Sequence, residues 1–206
     1  MAADVGSNPF SGRIIRDGDG PVSVASVPNL ITVARILAAP IFFWLVLVDA
    51  GELGTLRWVA AIVFIVAIAS DGIDGHIARS RNLVSRVGII LDPIADKLIT
   101  SGALVCLSLL GELWWWVTIV ILVREFGITV YRFLRLRDVA IPAAKAGKIK
   151  TLVQAVAISA MLLPLWTIVG DWYLWLCWVL MGAALVLTVT SGISFIVSAV
   201  KATRAS

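Results

Sequence analysis

The stretch SDGIDGHIARSRNLVSRVGIILDPIADK, from Ser70 to Lys97, carries four aspartates, yet it begins inside one apolar run and ends inside another. Asp71 and Asp74 are three residues apart, and Asp92 and Asp96 are four apart. In an α-helix each spacing puts both side chains on one face. A short basic segment with Arg79, Arg81 and Arg86 separates the pairs. Read as two antiparallel helices joined by that segment, the stretch brings its carboxylates to similar depth. At 1.5 Å per residue, Asp71 lies about 12 Å from Arg79, and Asp92 and Asp96 lie about 9 and 15 Å from Arg86. The four converge on one site.

The rest of the chain says what surrounds that site. Its 206 residues are 60% hydrophobic and include nine tryptophans, with a mean hydropathy of +1.00. A soluble domain of this size must keep more polar surface. Six apolar runs, at 29–48, 57–78, 85–110, 113–134, 149–169 and 172–200, have the length that spans a bilayer. None alternates as a barrel strand would, so the expectation is an all-α polytopic membrane protein with six transmembrane helices. Residues 1–27 read as an N-terminal cytoplasmic tail with room for a short interfacial helix, 28–201 as one catalytic membrane domain, and 202–206 as a C-terminal tail. The first run follows a mixed polar segment without a small-residue cleavage site, and reads as a retained helix.

The net charge of +4 does not point to nucleic acid, because the basic residues gather between apolar runs. With six spans, both termini share a side with the 79–86 and 135–150 loops, which hold most of the arginines and lysines. The opposite side has only Arg57, beside Asp49, Glu52, Glu112 and Asp171. That bias puts both termini in the cytoplasm and the protein in the cell membrane, with the aspartates facing the cytoplasm. Trp114–Trp116 and Trp172, Trp175 and Trp178 fall at the other face, as an aromatic belt does. Cys106 and Cys177 lie in apolar runs and read as packing residues.

Carboxylates at membrane depth are costly, at about 2.5–3.5 kcal/mol each on the insertion scale, and four together repel one another. Ordinary helix-end aspartates paired with Arg79, Arg81 and Arg86 would explain one or two of them, not four at matched depth. Two hard divalent cations would neutralise them, and two metals in an acidic site suit phosphoryl transfer. Gly75 and Gly88 leave backbone open where a phosphate or nucleotide could approach.

From Asp71 the order is Asp-x2-Asp-Gly-x2-Ala-Arg-x8-Gly-x3-Asp-x3-Asp, eight fixed residues across 26 positions. At every one of them the chain resembles the signature of the CDP-alcohol phosphotransferase family. The resemblance implies transfer of a phosphatidyl group from CDP-diacylglycerol to an alcohol, with release of CMP. It implies that Asp71, Asp74, Asp92 and Asp96 hold two divalent ions, Mg²⁺ or Mn²⁺. Asp71, Gly75, Ala78, Arg79 and Gly88 would form the CDP site, with Arg79 on phosphate, and Asp96 would also be the general base. A homodimer is implied as well.

A second group of residues bears on the acceptor. Arg124 and Arg132 stand eight apart in the fourth run, and Lys148 and Lys150 open the fifth. Arg124 lies about 16 Å along the helix from Arg135, where an arginine needs a partner. Glu125 beside it is expected to face elsewhere, and the phosphate of an acceptor is an attractive partner. Arg124-Glu125, Arg132, Gly147-Lys148-x-Lys150-Thr151, LDPIADK, and PNLITVARI with Asn29, Thr32 and Arg35 are similar to stretches in the branch of the family that makes phosphatidylglycerophosphate. By that likeness Asn29 and Thr32 join the CDP site, while Arg124, Arg132, Lys148 and Lys150 bind the phosphate of glycerol 3-phosphate.

Inositol phosphate or phosphatidylglycerol would need the same cations, whereas serine brings no phosphate. A cation carrier is the rival of another class, but no polar path continues beyond the aspartates. His76 is assigned no role.

Overall fold

The computed structural model describes the backbone of residues 27–80, 86–134 and 145–204, with side chains over 30–70, 94–131 and 149–200. Every described element is helical: α1 (Val27–Asp49), α2 (Thr55–Ser80), α3 (Arg86–Leu109), α4 (Trp115–Leu134), α5 (Lys145–Leu162), the single turn α6 (Trp166–Val169) and α7 (Trp172–Arg204). Six long helices thus answer the six apolar runs. Of the expected N-terminal tail only Val27 is described, and it already belongs to α1. At the other end α7 runs through 202–204, where a tail was expected.

The fifth run does not continue to 169. Pro164 has no N–H to give the carbonyl of Ala160, and its ring stops the helix two residues earlier. The orphaned carbonyls find side chains from other helices. Tyr173 Oη and Cys177 Sγ of α7 donate to Ala160 O at 3.2 and 3.4 Å. Arg57 of α2 donates from Nε to Leu162 O at 3.0 Å and from Nη2 to Met161 O at 3.2 Å.

Sharp turns at the same end of the bundle hold the neighbouring helices. Asp49 closes α1 and accepts the N–H groups of Leu53 and Gly54, both at 3.1 Å, as α2 begins. This holds Leu53 in the left-handed region at φ 58°. After α3, Gly111 sits at φ 74°. There Glu112 N donates to Leu107 O at 2.9 Å and Gly111 N to Ser108 O at 3.1 Å, the Schellman arrangement. It sends Glu112 back to Arg57, with which it forms an ion pair.

α1 packs along both α2 and α3, and α5 and α4 pack along α7. Gly102 permits the α1–α3 contact, since a Cβ there would lie 2.1 Å from the Phe43 ring. Between α3 and α4, Ser108 and Thr118 share a buried hydroxyl contact of 2.7 Å, a polar link common between membrane helices. Phe42, Phe64, Ile99, Leu104 and Ile158 fill the centre.

The outside is as apolar as the inside. Leu37, Val66, Val123 and Trp175 are 63, 61, 67 and 76% exposed. Such continuous apolar surface belongs against lipid, and the protein is a membrane protein. Among the described residues, Leu30–Asp49 and Trp172–Val200 are long and apolar enough to cross a bilayer, while Thr55–Ser70 and Ile149–Leu162 are apolar but shorter. Charged residues interrupt α2 to α5, and these residues build the site.

Candidate active site

The end of α2 and the first half of α3 carry the aspartates. Both pairs lie on continuous helix, so Asp71 and Asp74 share one face of α2, and Asp92 and Asp96 one face of α3. The helices bear Gly75, Ala78, Arg79 and Gly88 as well. The side chains of Asp71, Asp74, Ala78, Arg79 and Asp92 lie outside the described residues, as do those of Asn29, Arg132 and Lys148. Among the described residues there is accordingly no cluster of three metal-ligating side chains. Asp96 is described and half-buried. Its carbonyl accepts the Thr100 hydroxyl at 2.7 Å.

α1 reaches this region through the residues of its opening motif. Thr32 and Arg35 lie one turn apart, and both are buried. Arg35 Nη2 donates to Ser70 Oγ over a long 3.4 Å, and Ser70 in turn donates to Ala67 O at 2.8 Å. An arginine from α1 is thereby set at the residue immediately before Asp71. The sequence marked Arg35 only as part of a likeness; its contact with α2 needed the α1–α2 packing.

On the other side of Asp96 stands a network centred on Glu125. Arg124 Nη1 donates to Glu125 Oε1 at 2.8 Å, and Lys150 Nζ donates to the same oxygen. Lys97 Nζ donates to the Glu125 carbonyl at 3.1 Å and lies 6.0 Å above the Phe126 ring. Arg124 Nη2 donates to Ser191 Oγ of α7 at 2.9 Å. Gly192 leaves room for this arginine, because a Cβ there would stand 3.2 Å from Arg124 Cγ.

One expectation is corrected here. Glu125 does not face away from Arg124. Neighbouring residues diverge by about 100° around a helix, but these two side chains are long enough to fold toward one another, and the ammonium of Lys150 draws the carboxylate the same way. Arg124 therefore has a partner from its own chain, although its Nε has none among the described residues.

Lys150 is 2% exposed. Lys97 follows Asp96 directly in the chain and meets the same residue of α4 as Lys150 does. The fold thus brings together Asp96, Arg124 and Lys150, which the sequence singled out, and adds Lys97, Glu125 and Ser191. Lys97 could have been suspected from its place beside the last aspartate. Ser191 is one of several hydroxyl residues in α7, and nothing in the sequence distinguishes it.

A model of the CDP-alcohol phosphatidyltransferase family matches residues 25–190. The chain belongs to that family. The chain is 38% identical over 197 residues to a probable phosphatidylglycerophosphate synthase of Mycobacterium tuberculosis, covering 96% of the chain and 90% of the relative. It is 41% identical over 148 residues to a CDP-diacylglycerol–glycerol-3-phosphate 3-phosphatidyltransferase of Bacillus subtilis, covering 67 and 77%. A CMP-forming cardiolipin synthase of Streptomyces coelicolor is 37% identical over 108 residues, covering 52 and 50%. The likeness to the mycobacterial relative covers nearly all of both chains, whereas that to the cardiolipin synthase covers half of each.

Proposed function

We propose that this protein transfers the phosphatidyl group of CDP-diacylglycerol to glycerol 3-phosphate, forming phosphatidylglycerophosphate and CMP for phospholipid synthesis. The observation that carries the acceptor is the gathering of Lys97, Arg124 and Lys150 beside Asp96. It gives a phosphate-bearing alcohol a cationic seat next to a carboxylate. Relatives named for glycerol 3-phosphate support the same reading.

The four aspartates form an all-oxygen donor set on two helices, which fits two Mg²⁺ or Mn²⁺ ions. When bound, these ions supply charge neutralisation on the phosphate oxygens. Arg79 contacts the pyrophosphate of the CDP group, and Asn29, Thr32, Gly75, Ala78 and Gly88 shape the space for the nucleotide. Arg124 and Lys150, with Arg132 and Lys148, hold the acceptor's phosphate and so fix its free hydroxyl. Asp96 takes the hydroxyl proton. The oxygen attacks the phosphorus that bears diacylglycerol, the bond from that phosphorus to the CMP oxygen breaks, and CMP leaves.

Six helices cross the cytoplasmic membrane with both termini inside, as the lysines and arginines of the loops favour. The site then opens to the cytoplasm, where the acceptor is dissolved, and the enzyme acts as a homodimer. A carrier would need a path through the opposite half, where buried Arg57 is already paired with Glu112.

The test is CMP release by purified protein in detergent with CDP-diacylglycerol and Mg²⁺ or Mn²⁺. Glycerol 3-phosphate, inositol phosphate, phosphatidylglycerol and serine are offered separately. Release with glycerol 3-phosphate alone is expected. Release with phosphatidylglycerol instead would make the product cardiolipin, and metal uptake into vesicles without CMP release would support the carrier.

A further inference from the structure

Glu125 is an acidic residue in a place that calls for cations. Its Oε1 takes hydrogen bonds from Arg124 and Lys150, and its carbonyl takes one from Lys97. Through these bonds one residue of α4 ties together α3 and α5, and through Arg124 it reaches Ser191 of α7. Arg124 and Lys150 share one oxygen of Glu125 and Lys97 binds its carbonyl, so three positive charges stand close together. Arg124 has a second anchor in Ser191. Lys150, 2% exposed, donates to Glu125, its one acceptor among the described residues.

We infer that Glu125 is a positioning residue, which holds Arg124 and Lys150 side by side as a ready-made receptor for the acceptor's phosphate. The inference rests on the acceptor reading proposed above and assigns the carboxylate a part within it. Lys97, Arg124 and Lys150 face the carboxylates of Glu125 and Asp96, which leaves a surplus of one positive charge. A phosphate monoester carries about −1.5 to −2 at neutral pH, so the surplus suits it. The carboxylate also settles how the cations are spaced. Without it, the buried ammonium of Lys150 would lose its acceptor and swing away from the guanidinium.

The opposing arrangement is a placeholder, in which the carboxylate merely occupies the cations until the phosphate displaces it. The two differ in sign. Removing a placeholder strengthens acceptor binding, and removing a positioning group weakens it.

The experiment compares the wild type with Glu125→Gln, Glu125→Asp and Glu125→Ala in the CMP-release assay, titrating glycerol 3-phosphate and CDP-diacylglycerol separately. The expected result for Glu125→Ala is a KM for glycerol 3-phosphate raised about thirtyfold or more, with the KM for CDP-diacylglycerol unchanged and kcat reduced far less. Glu125→Gln, which keeps an acceptor oxygen, should fall between. Protection against thermal unfolding by glycerol 3-phosphate, measured without CDP-diacylglycerol, should weaken in the same order and covers any variant with too little activity to titrate. An unchanged or lowered KM in Glu125→Ala overturns the inference while the acceptor reading stands. Equal weakening toward both substrates also overturns it, since that marks general loosening of the bundle. A wild type that does not use glycerol 3-phosphate overturns the acceptor reading, and this inference with it.

Discussion

The bundle holds an ion-paired arginine toward each end, Arg57 and Arg124, and the two are used in opposite ways. Near the start of α2, fully buried Arg57 meets Glu112 and two helix-end carbonyls, with buried Asp49 in the same turn region. One cation there faces acceptors that the chain itself supplies. Around Glu125, Arg124 and Lys150 share a carboxylate oxygen and Lys97 takes the backbone carbonyl, with Asp96 next to Lys97 in the chain. Arg57 and Arg124 each leave one nitrogen without a partner among the described residues, so unsatisfied atoms do not tell the two clusters apart. Charge balance does. Where acceptors match the cation the cluster locks helices together, and where cations outnumber the acids they touch the cluster can take an anion from outside.

The sharpest way to separate the two ends is to remove one key group from each. Asp96→Asn should lower CMP release by about 10²–10⁴-fold, the usual worth of a positioned general base, with thermal unfolding in detergent little changed. Arg57→Leu should do the reverse. Loss of one partner from a buried pair costs about 3–5 kcal/mol, and here the α5 carbonyls lose their donor too. A marked fall in the unfolding midpoint is expected, with the KM for glycerol 3-phosphate unchanged in whatever protein stays folded. If Arg57→Leu instead raises that KM selectively, the contrast between a lock and a receptor is wrong.

Within the cationic end the comparison can be refined. Arg124→Ala and Lys150→Ala should each raise the KM for glycerol 3-phosphate about thirtyfold, from the loss of a charge-assisted contact, and leave that for CDP-diacylglycerol alone. Lys150→Ala should cost less stability than Arg57→Leu, because it relieves repulsion among the cations as well as removing a bond. Equal destabilisation by the two would mean that both clusters are structural.

How much of this could be read beforehand depended on whether a feature is local in the chain. The aspartate pairs, the long helices and the cationic character of Arg124 and Lys150 follow from spacing and hydropathy, which need only a helix to acquire meaning. The end of α5 was misplaced because apolarity continues past Pro164, and the missing N–H outweighs it. Arg57 read as a stray basic residue on the sparsely charged side; its partners at Met161 and Leu162 are over a hundred residues away. The direction of Glu125 could not be judged from α4 alone, since Lys150 of α5 helps to set it. Local periodicity gave the elements, and the contacts between helices decided what each charge does.

The smallest effect belongs to Glu112, and it tests whether the lock depends on charge or on hydrogen bonding. Burial pushes the Glu112 carboxyl above its ordinary value of 4.5, with Asp49 adding to the rise, even though Arg57 pulls it down. A carboxyl raised on folding binds its proton more tightly in the folded protein, so its contribution to stability is complete below the ordinary value and is lost as pH rises through the folded one. The wild type should therefore lose a little stability as pH climbs out of the carboxylate range, and Glu112→Gln should lack that slope. The amide can still accept from Arg57, so the variant should unfold near the wild-type midpoint at neutral pH. A large drop would mean that the lock needs the full charge of Glu112, and that the two ends differ in the number of their charges but not in how they use them.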